Sequence, residues 1–251
     1  MPRGASNWFQ VKIVCRELTF SYPESDHPLF AGLNLSITGT GFFSFFGLSG
    51  SGKSTLARLV AGLLAPDSGR IMKTETARDL FSYNTERLPG WMTLEEHLNQ
   101  VVPGGREELL DSLTDEFGIT PFMEHKFPKL SMGQKNRVNL VRYLIQDFDL
   151  LIADEVLANV DEPSRNRILG FIKRHFPDRA FIYISHNASE VALFSKRIFV
   201  FPQTGPEGLS GLISIDGLDV SGPQEADRNR LQEKILEILK ASSQGRWQEN
   251  R

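Results

Sequence analysis

The chain has 251 residues, of which 40% are hydrophobic and 24% are charged, and its formal net charge is −3. This composition is typical of a globular protein, and the length suffices for one large α/β domain with a small subdomain. The slightly acidic balance argues against a broad basic surface that would hold nucleic acid, so we expect no nucleic-acid partner.

The chain contains one cysteine, Cys15, which excludes an internal disulfide and fits a reducing, cytosolic compartment. Residues 1–10 lack the apolar core of a signal peptide. No segment approaches the ~20 apolar residues that cross a bilayer, and the most apolar short stretch, residues 41–48, is far too brief. We therefore expect a cytoplasmic protein and expect any membrane span to come from another chain.

Strand and helix patterns alternate along the first quarter of the sequence. Residues 11–20 are rich in β-branched and apolar side chains, and residues 33–37 alternate apolar with polar, so both predict strands. Residues 42–46 predict a buried strand that runs into a glycine-rich loop. Residues 53–64 have helical spacing and are followed by turn residues at 66–69, which predicts a helix that ends there.

The rest of the sequence continues this alternation. Residues 91–126 predict a broken helical insert, and the short apolar runs at 150–153 and 181–184 predict buried parallel strands. After Phe201 the chain is rich in Gly, Pro and Ser, and only residues 228–240 regain helical spacing. The pattern predicts an α/β fold with a mostly parallel sheet and helices on both faces.

The glycine-rich loop at residues 47–54 reads GLSGSGKS and fits the phosphate-binding pattern G-x-x-x-x-G-K-[ST] at every fixed position. Its glycines let backbone N–H groups wrap a phosphate, and the following helix adds its positive N-terminal end. Lys53 can then reach the β- and γ-phosphates, while the Ser54 hydroxyl can ligate Mg²⁺. A glycine-rich surface turn is the alternative, but the flanking strand and helix favour a nucleoside triphosphate site.

Polar residues follow both buried strands of the second half. Asp154 and Glu155 come directly after residues 150–153, at the sheet edge where α/β proteins bind ligands. Asp154 is suited to hold Mg²⁺ and Glu155 to act as the general base that polarises the attacking water. His186 follows the next strand, so a contact with the γ-phosphate is favoured over a purely structural role. Acidic turn residues often follow apolar strands without any function. The phosphate loop elsewhere in the sequence is what favours a catalytic role for Asp154 and Glu155.

Residues 130–134 read LSMGQ and lie between the phosphate loop and the acidic strand. They resemble the LSGGQ signature of the ATP-binding-cassette (ABC) ATPases. Residues 158–161 (ANVD) look like the D-loop of that family. Tyr22 precedes the phosphate loop, where the family has an aromatic residue that stacks on adenine. The order of these motifs is similar to that of the family over about residues 11–201.

The resemblance implies a P-loop NTPase core with a mostly parallel sheet, an N-terminal antiparallel β subdomain and an inserted helical subdomain. The ABC ATPase domain would span residues 8–203, with the helical subdomain at about 85–145 and a C-terminal extension with one helix at 204–251. Two such domains pair head to tail in the family. Ser131 and Gly133 would therefore contact the γ-phosphate of a nucleotide held by a second ABC ATPase subunit, identical or related.

The motifs and the resemblance together assign three groups of residues. The expected catalytic residues are Lys53, Glu155 and His186. The expected Mg²⁺ ligands are Ser54, Asp154 and Asn84. The residues expected to bind ATP are Tyr22, Gly47, Leu48, Ser49, Gly50, Ser51, Gly52, Lys53, Ser54, Thr55, Ser131, Gly133, Gln134 and Asp161.

Three residues depart from the family pattern. Asn84 stands where the family usually has a glutamine that touches Mg²⁺ and water, and its side chain is one methylene shorter. Met132 replaces the first glycine of the signature, and Val156 replaces the proline after the acidic pair. We expect these changes to slow hydrolysis but to leave the site complete.

The resemblance implies an ATPase subunit at the cytoplasmic face of a membrane, where it drives an integral membrane transporter subunit. Residues 91–126 would receive a coupling helix from that subunit. The free-standing chain favours an importer, for which a substrate-binding protein is a further expected partner. Two alternatives stay open: a soluble mechanical clamp, and a regulatory ATP-binding module that barely hydrolyses ATP. The absence of coiled-coil insertions argues against the clamp, and Glu155 and His186 argue against the module.

Overall fold

A computed structural model describes residues 11–74, 78–83, 86, 88–203 and 207–243. The strands are β1 (Lys12–Phe20), β2 (Phe30–Thr38), β3 (Gly41–Gly47), β4 (Ser68–Lys73), β5 (Asp79–Ser82), β6 (Leu150–Asp154), β7 (Ala180–Ile184), β8 (Arg197–Phe201) and β9 (Ile213–Asp216). The helices are α1 (Lys53–Val60), α2 (Leu94–Val101), α3 (Glu107–Glu116), α4 (Met132–Leu144), α5 (Glu162–His175), α6 (Ala188–Phe194) and α7 (Arg228–Ser243).

The strands form two sheets. The larger sheet has the order β5-β6-β7-β3-β8-β9. The first five strands in this order run parallel, and β9 pairs antiparallel with β8. The smaller sheet, β2-β1-β4, is antiparallel. The predicted fold class, a mostly parallel α/β core with an N-terminal antiparallel sheet, is therefore confirmed. Because β3, β6 and β7 are parallel neighbours, their carboxyl ends meet at one edge of the sheet.

The central sheet is buried on both faces. Along β6, Leu150 and Ile152 pack with α1 and the antiparallel sheet, whereas Leu151 and Ala153 pack with α4 and α5. Successive side chains of a strand point to opposite faces, so a strand covered on both sides must be apolar throughout. The uninterrupted apolar run at 150–153 has this cause.

The structure corrects two expectations about element boundaries. The helix expected over residues 53–64 ends at Val60, because Gly62 adopts a left-handed backbone (φ 75°) and turns the chain. Leu63 lies past the helix and is half exposed. The turn expected at 66–69 ends in β4, which begins at Ser68 and pairs with β1.

The helices of the insert pack on the face of the sheet that carries α5. Thr93 and Glu96 form a capping box that begins α2, and Ser131 and Gln134 form another that begins α4. At the other end of the chain, Ile238 of α7 is fully buried among residues of α6, β8 and β9. None of the helices in the described ranges combines the length and the apolar character that spanning a bilayer requires.

Candidate functional site

The phosphate loop, residues 47–54, leads from the end of β3 into the first turn of α1. Gly52 has a left-handed backbone (φ 97°), and a Cβ at this position would lie 2.9 Å from the Phe30 ring, so only glycine fits without displacing that ring. The Ser51 hydroxyl is buried and has no hydrogen-bond partner among the described residues. A buried orphan hydroxyl in a glycine loop at a helix start fits a bound phosphate.

Lys53 lies inside this loop. Its Nζ donates hydrogen bonds to the carbonyl oxygens of Gly47 at 3.0 Å and Leu48 at 2.8 Å. Burial lowers the pKa of Lys53, and the negative charges of Glu155 and Asp154 oppose that shift. The ammonium group is thus held in place by backbone, and a phosphate entering the loop would meet a positioned cation. The loop tip, formed by Leu48, Ser49 and Gly50, is exposed.

Ser54 and Asp154 come together from α1 and the end of β6. The Ser54 hydroxyl donates to Asp154 Oδ1 at 2.9 Å. Burial raises the pKa of Asp154, and the hydrogen bond from Ser54 opposes that rise. One hydroxyl and one carboxylate are the oxygen ligands that Mg²⁺ takes from a protein when phosphates and water supply the rest.

Within the described ranges, no group of three or more His, Cys, Asp or Glu side chains could hold a metal by itself. The oxygen donors of Ser54 and Asp154 fit Mg²⁺ bound together with a nucleotide. Asn84, the third expected ligand, lies outside the described residues.

Glu155 and His186 meet at the same edge of the sheet. His186 Nε2 is in contact with Glu155 Oε1, and His186 Nδ1 lies 3.0 Å from the Gly47 carbonyl oxygen. Carbonyl and carboxylate oxygens only accept hydrogen bonds, so each contact is a hydrogen bond when the ring nitrogen that faces it carries the proton. The imidazole ring is therefore held between Gly47 and Glu155. Glu155 itself has a left-handed backbone (φ 53°), a conformation that non-glycine residues adopt at a cost and that is often found in functional sites.

The signature residues lie at the start of α4. The Ser131 hydroxyl accepts a hydrogen bond from the Gln134 N–H at 3.2 Å, and the Gln134 side chain accepts from the Ser131 N–H at 2.8 Å. This capping box uses the hydroxyl only as an acceptor, so its proton is free to be donated outward. Met132 is half exposed beside them.

The signature packs against the loop that precedes α5. A Cβ on Gly133 would lie 2.3 Å from the carbonyl oxygen of Asn159, so the two backbones touch at a glycine. Asp161 caps α5 by accepting a hydrogen bond from the Ser164 N–H at 3.0 Å, which also lowers the pKa of Asp161. The structure thus joins the signature to the expected D-loop within one chain. The expected D-loop also begins next to Glu155, because the Ala158 N–H donates a hydrogen bond to the Glu155 carbonyl oxygen at 3.1 Å.

Tyr22 stands beside the start of α1. Its hydroxyl is 2.8 Å from Thr55 Oγ1, and its ring packs edge-on against Phe20 at a centroid distance of 5.1 Å. The side chain remains 42% exposed. An aromatic ring fixed at one end and open to solvent, next to a phosphate loop, can stack on a nucleotide base.

We expect Tyr22→Ala to weaken ATP binding about 10-fold, because stacking of a base on an aromatic ring contributes about 1–3 kcal/mol. Tyr22→Phe keeps the ring and loses only the contact with Thr55, so its ATP affinity should stay within about two-fold of wild type. Calorimetric titration with ATP measures both variants. Equal affinities for Tyr22→Ala and wild type would exclude Tyr22 from the base site.

Two residues of this region carry no local sequence signal. Glu190 is almost fully buried on α6, and Arg165 pairs with it from α5 with 2.5 Å between Nε and Oε1. Neither belongs to a motif that predicts a function from the sequence, and the two are brought together only by helix packing. They lie next to Glu155 and His186 around one cavity.

Comparison with known proteins identifies the family. The family model for ABC transporters matches residues 30–158. A Haemophilus influenzae protein named as an uncharacterized ABC transporter ATP-binding protein is 31% identical over 221 residues, covering 84% of this chain and 92% of that protein. The aliphatic sulfonates import ATP-binding protein SsuB 1 of Agrobacterium fabrum is 30% identical over 237 residues, covering 89% of this chain and 82% of that protein.

One further relative is longer than this chain. The molybdenum import ATP-binding protein ModC of Rhizobium etli is 34% identical over 192 residues, and the match covers 66% of this chain. It covers 54% of the ModC protein, so the similarity extends over about half of that relative.

Solved structures support the fold. An ATP-bound bacterial exporter of the Atm1 family superposes with a TM-score of 0.72 and 22% identity, covering 91% of this chain and 42% of that one. An inward-facing putative metal-chelate type ABC transporter gives a TM-score of 0.66 and 16% identity, and the match covers 82% of this chain and 83% of that one. The family model spans half of the chain, and the Haemophilus influenzae and Agrobacterium fabrum relatives, at 31% and 30% identity, match over 92% and 82% of their length. The chain therefore belongs to the ABC transporter family, in which it is an ATP-binding, ATP-hydrolysing subunit.

Proposed function

We propose that this chain binds MgATP at the edge of its parallel sheet and hydrolyses it to energise import through a membrane transporter. The observation that carries the proposal is the convergence of Lys53, the Ser54–Asp154 pair and the Glu155–His186 pair at the ends of three neighbouring strands. Relatives whose names describe import ATP-binding proteins support the direction of transport.

Each group in the proposed site has a distinct task. Lys53 and the phosphate loop would hold the phosphates, and Ser54 and Asp154, with Asn84 as a further candidate, would hold Mg²⁺. The bound metal would neutralise charge on the β- and γ-phosphates. Glu155 would accept a proton from the attacking water, and His186 would fix the carboxylate and contact the γ-phosphate. The Tyr22 ring would stack on the adenine.

The second half of each site would come from another ABC ATPase subunit, the same or related. Within the described part of the chain the Ser131 hydroxyl acts only as an acceptor, which leaves its proton for a ligand. Gly133 lies in the first turn of α4, where N–H groups have no intrahelical partner. Both features favour an anion, so we propose that they bind the γ-phosphate held by the partner. Gln134 and Asp161 would shape this surface through the caps they form.

We further propose that residues 85–145 form a helical subdomain of a domain spanning residues 8–203, and that this subdomain receives the membrane subunit on the cytoplasmic face. Residues 204–251 would be an extension, closed by α7 against α6. A substrate-binding protein would complete an importer.

Purification of the tagged full chain from its native membranes tests the transport proposal. We expect an integral membrane protein to be recovered in a fixed ratio, together with ATPase activity that needs Mg²⁺. Recovery with soluble partners alone would contradict the proposed role in transport, and the ATP site would then serve another process.

Trp91 offers a sharper test of the membrane contact. It is 74% exposed in the turn before α2, and exposed tryptophan is unusual except at interfaces. We expect Trp91→Ala to weaken binding to the membrane subunit about 30-fold, while the ATPase rate of the isolated chain stays within two-fold of wild type. Co-purification and ATPase assays measure the two effects.

Leu236→Ala is the matched control, because Leu236 is also a half-exposed apolar side chain but lies on α7. It should leave binding to the membrane subunit unchanged. Equal losses in both variants, or none in either, would remove Trp91 from the proposed contact.

A further inference from the structure

A buried ion pair joins α5 to α6 beside the candidate catalytic residues. The Glu190 side chain is 3% exposed and that of Arg165 is 18% exposed, with 2.5 Å between Glu190 Oε1 and Arg165 Nε. Removing two charges from water costs several kcal/mol per ion, so a buried pair stabilises a fold only modestly, if at all. Its position beside Glu155 and His186 indicates a task other than stability.

The Glu190 carboxylate holds two side chains that precede His186, and one of them reaches the backbone that follows it. Its second oxygen, Oε2, accepts hydrogen bonds from the Tyr183 hydroxyl at 2.9 Å and from the Ser185 hydroxyl at 3.0 Å. Ser185 Oγ in turn accepts a hydrogen bond from the Asn187 N–H at 3.1 Å. Burial raises the pKa of Tyr183 well above its usual value, so its hydroxyl stays protonated and donates. The carboxylate therefore fixes the loop that presents His186.

Arg165 extends the same network to the second loop. Its Nη1 donates a hydrogen bond to the Val160 carbonyl oxygen at 2.8 Å. Val160 follows Asn159, whose carbonyl oxygen lies against Gly133 of the signature. One guanidinium thus connects the buried carboxylate behind His186 to the loop that touches the signature.

The two loops face each other across a cavity of about 460 Å³. Glu155, Arg165, His186 and Glu190 all line it. Glu155 and His186 make one polar contact across this space, and the more buried Arg165–Glu190 ion pair makes a second. A shift of that pair would change the spacing of the loops and, with it, the contact between Glu155 and His186.

We propose that Arg165 and Glu190 are positioning residues that couple the Asn159–Val160 segment to the His186 loop and thereby set the Glu155–His186 geometry for hydrolysis. This inference deepens the proposed function and rests on it. Because the pair touches neither the phosphate loop nor Tyr22, it should affect turnover more than nucleotide binding.

Glu190→Gln tests the proposal, because glutamine keeps the side-chain shape and an acceptor for Tyr183 but leaves Arg165 without its carboxylate. We expect kcat for ATP to fall about 10-fold or more, in line with the cost of small displacements of catalytic groups, while KM changes less than about two-fold. Arg165→Lys keeps the charge but loses the planar guanidinium that reaches both Glu190 and Val160. It should likewise lower kcat about 10-fold or more and change KM less than about two-fold.

Lys173→Met is the matched control. Lys173 joins the same two helices, with its Nζ 2.5 Å from Asp219 Oδ1 and 2.9 Å from the Phe194 carbonyl oxygen, but it lies at the other end of α5. This control should lower Tm while leaving kcat within two-fold of wild type. A fall in kcat as large in Lys173→Met as in Glu190→Gln would show a general effect on stability and overturn the proposal.

A double-mutant cycle shows whether the two residues act as one unit. If they do, Arg165→Lys combined with Glu190→Gln should lower kcat no further than either change alone. Losses that multiply, or a KM that rises in step with the fall in kcat, would also overturn the proposal. A wild-type chain that binds ATP but has no measurable turnover, alone or with its membrane subunit, would refute the proposed function itself and is recognised before any variant is made.

Discussion

Replacing Glu155 with glutamine is expected to lower steady-state ATP hydrolysis by about 100-fold or more while ATP still binds. Glutamine has nearly the same shape but cannot accept a proton from water at neutral pH. It also loses the charge that faces His186 Nε2. The phosphate loop and the Ser54–Asp154 pair are left intact, so nucleotide affinity should hold. Phosphate release and equilibrium binding of ATP measure the two properties separately.

The same substitution on α7 provides the control for Glu155→Gln. Glu237 forms an exposed ion pair with Lys234 at 2.7 Å, and Glu237→Gln should leave turnover unchanged. If Glu155→Gln retained wild-type turnover, Glu155 would not be the general base. Loss of ATP binding in that variant would instead indicate that the carboxylate contributes to the nucleotide site.

Gly133→Ala is expected to reduce turnover about 10-fold or more, although Gly133 lies outside the phosphate loop. The added Cβ would lie 2.3 Å from the Asn159 carbonyl oxygen, a distance that forces one backbone to move. That movement would displace the signature relative to Asn159 and Asp161, and so disturb the surface proposed to complete the partner's site. ATP binding to the isolated chain should be unaffected. ATPase assays across protein concentrations and calorimetry with ATP distinguish these effects.

Gly104→Ala controls for the loss of a glycine in the helical region. A Cβ on Gly104 would meet no atom within 4 Å, so this variant should match wild type in turnover and in Tm. Normal turnover in Gly133→Ala would mean that the close contact with Asn159 has no part in hydrolysis. A large loss of Tm confined to Gly133→Ala would assign the contact to stability instead.

The parts of the fold that follow from local pattern were predictable. β3, β6 and β7 are buried on both faces, so their sequences are almost entirely apolar and stand out from their surroundings. β4 was not predicted, because it is a mostly exposed edge strand that contains Gly69 and charged residues. Its place is fixed by pairing with β1, which no local pattern encodes. The predicted end of α1 at residue 64 was wrong, because Leu63 and Leu64 continue the apolar spacing beyond the turn at Gly62.

The candidate site also contains residues that the sequence predicts and residues that only the folded structure shows. Lys53, Ser54, Asp154, Glu155 and His186 all lie within a residue or two of a predicted strand end or helix start, so parallel pairing alone brings them to one edge. Glu190 and Arg165 could not be found by such reasoning. Each is one charged residue on a helix, and only the packing of α5 on α6 makes them buried neighbours.

The antiparallel strand β9 covers an apolar strand of the larger sheet. Four of the five residues of β8 are buried, and β9 occupies the side of β8 that β3 does not cover. Without that cover, an apolar strand would present a row of unpaired N–H and C=O groups, which is a template for pairing with other chains. β9 moves the open edge of the sheet to a strand of four residues in which Ser214 and Asp216 are exposed. A short edge strand with an exposed charge is a poor template for a second chain, so we expect the pairing of β9 with β8 to limit aggregation.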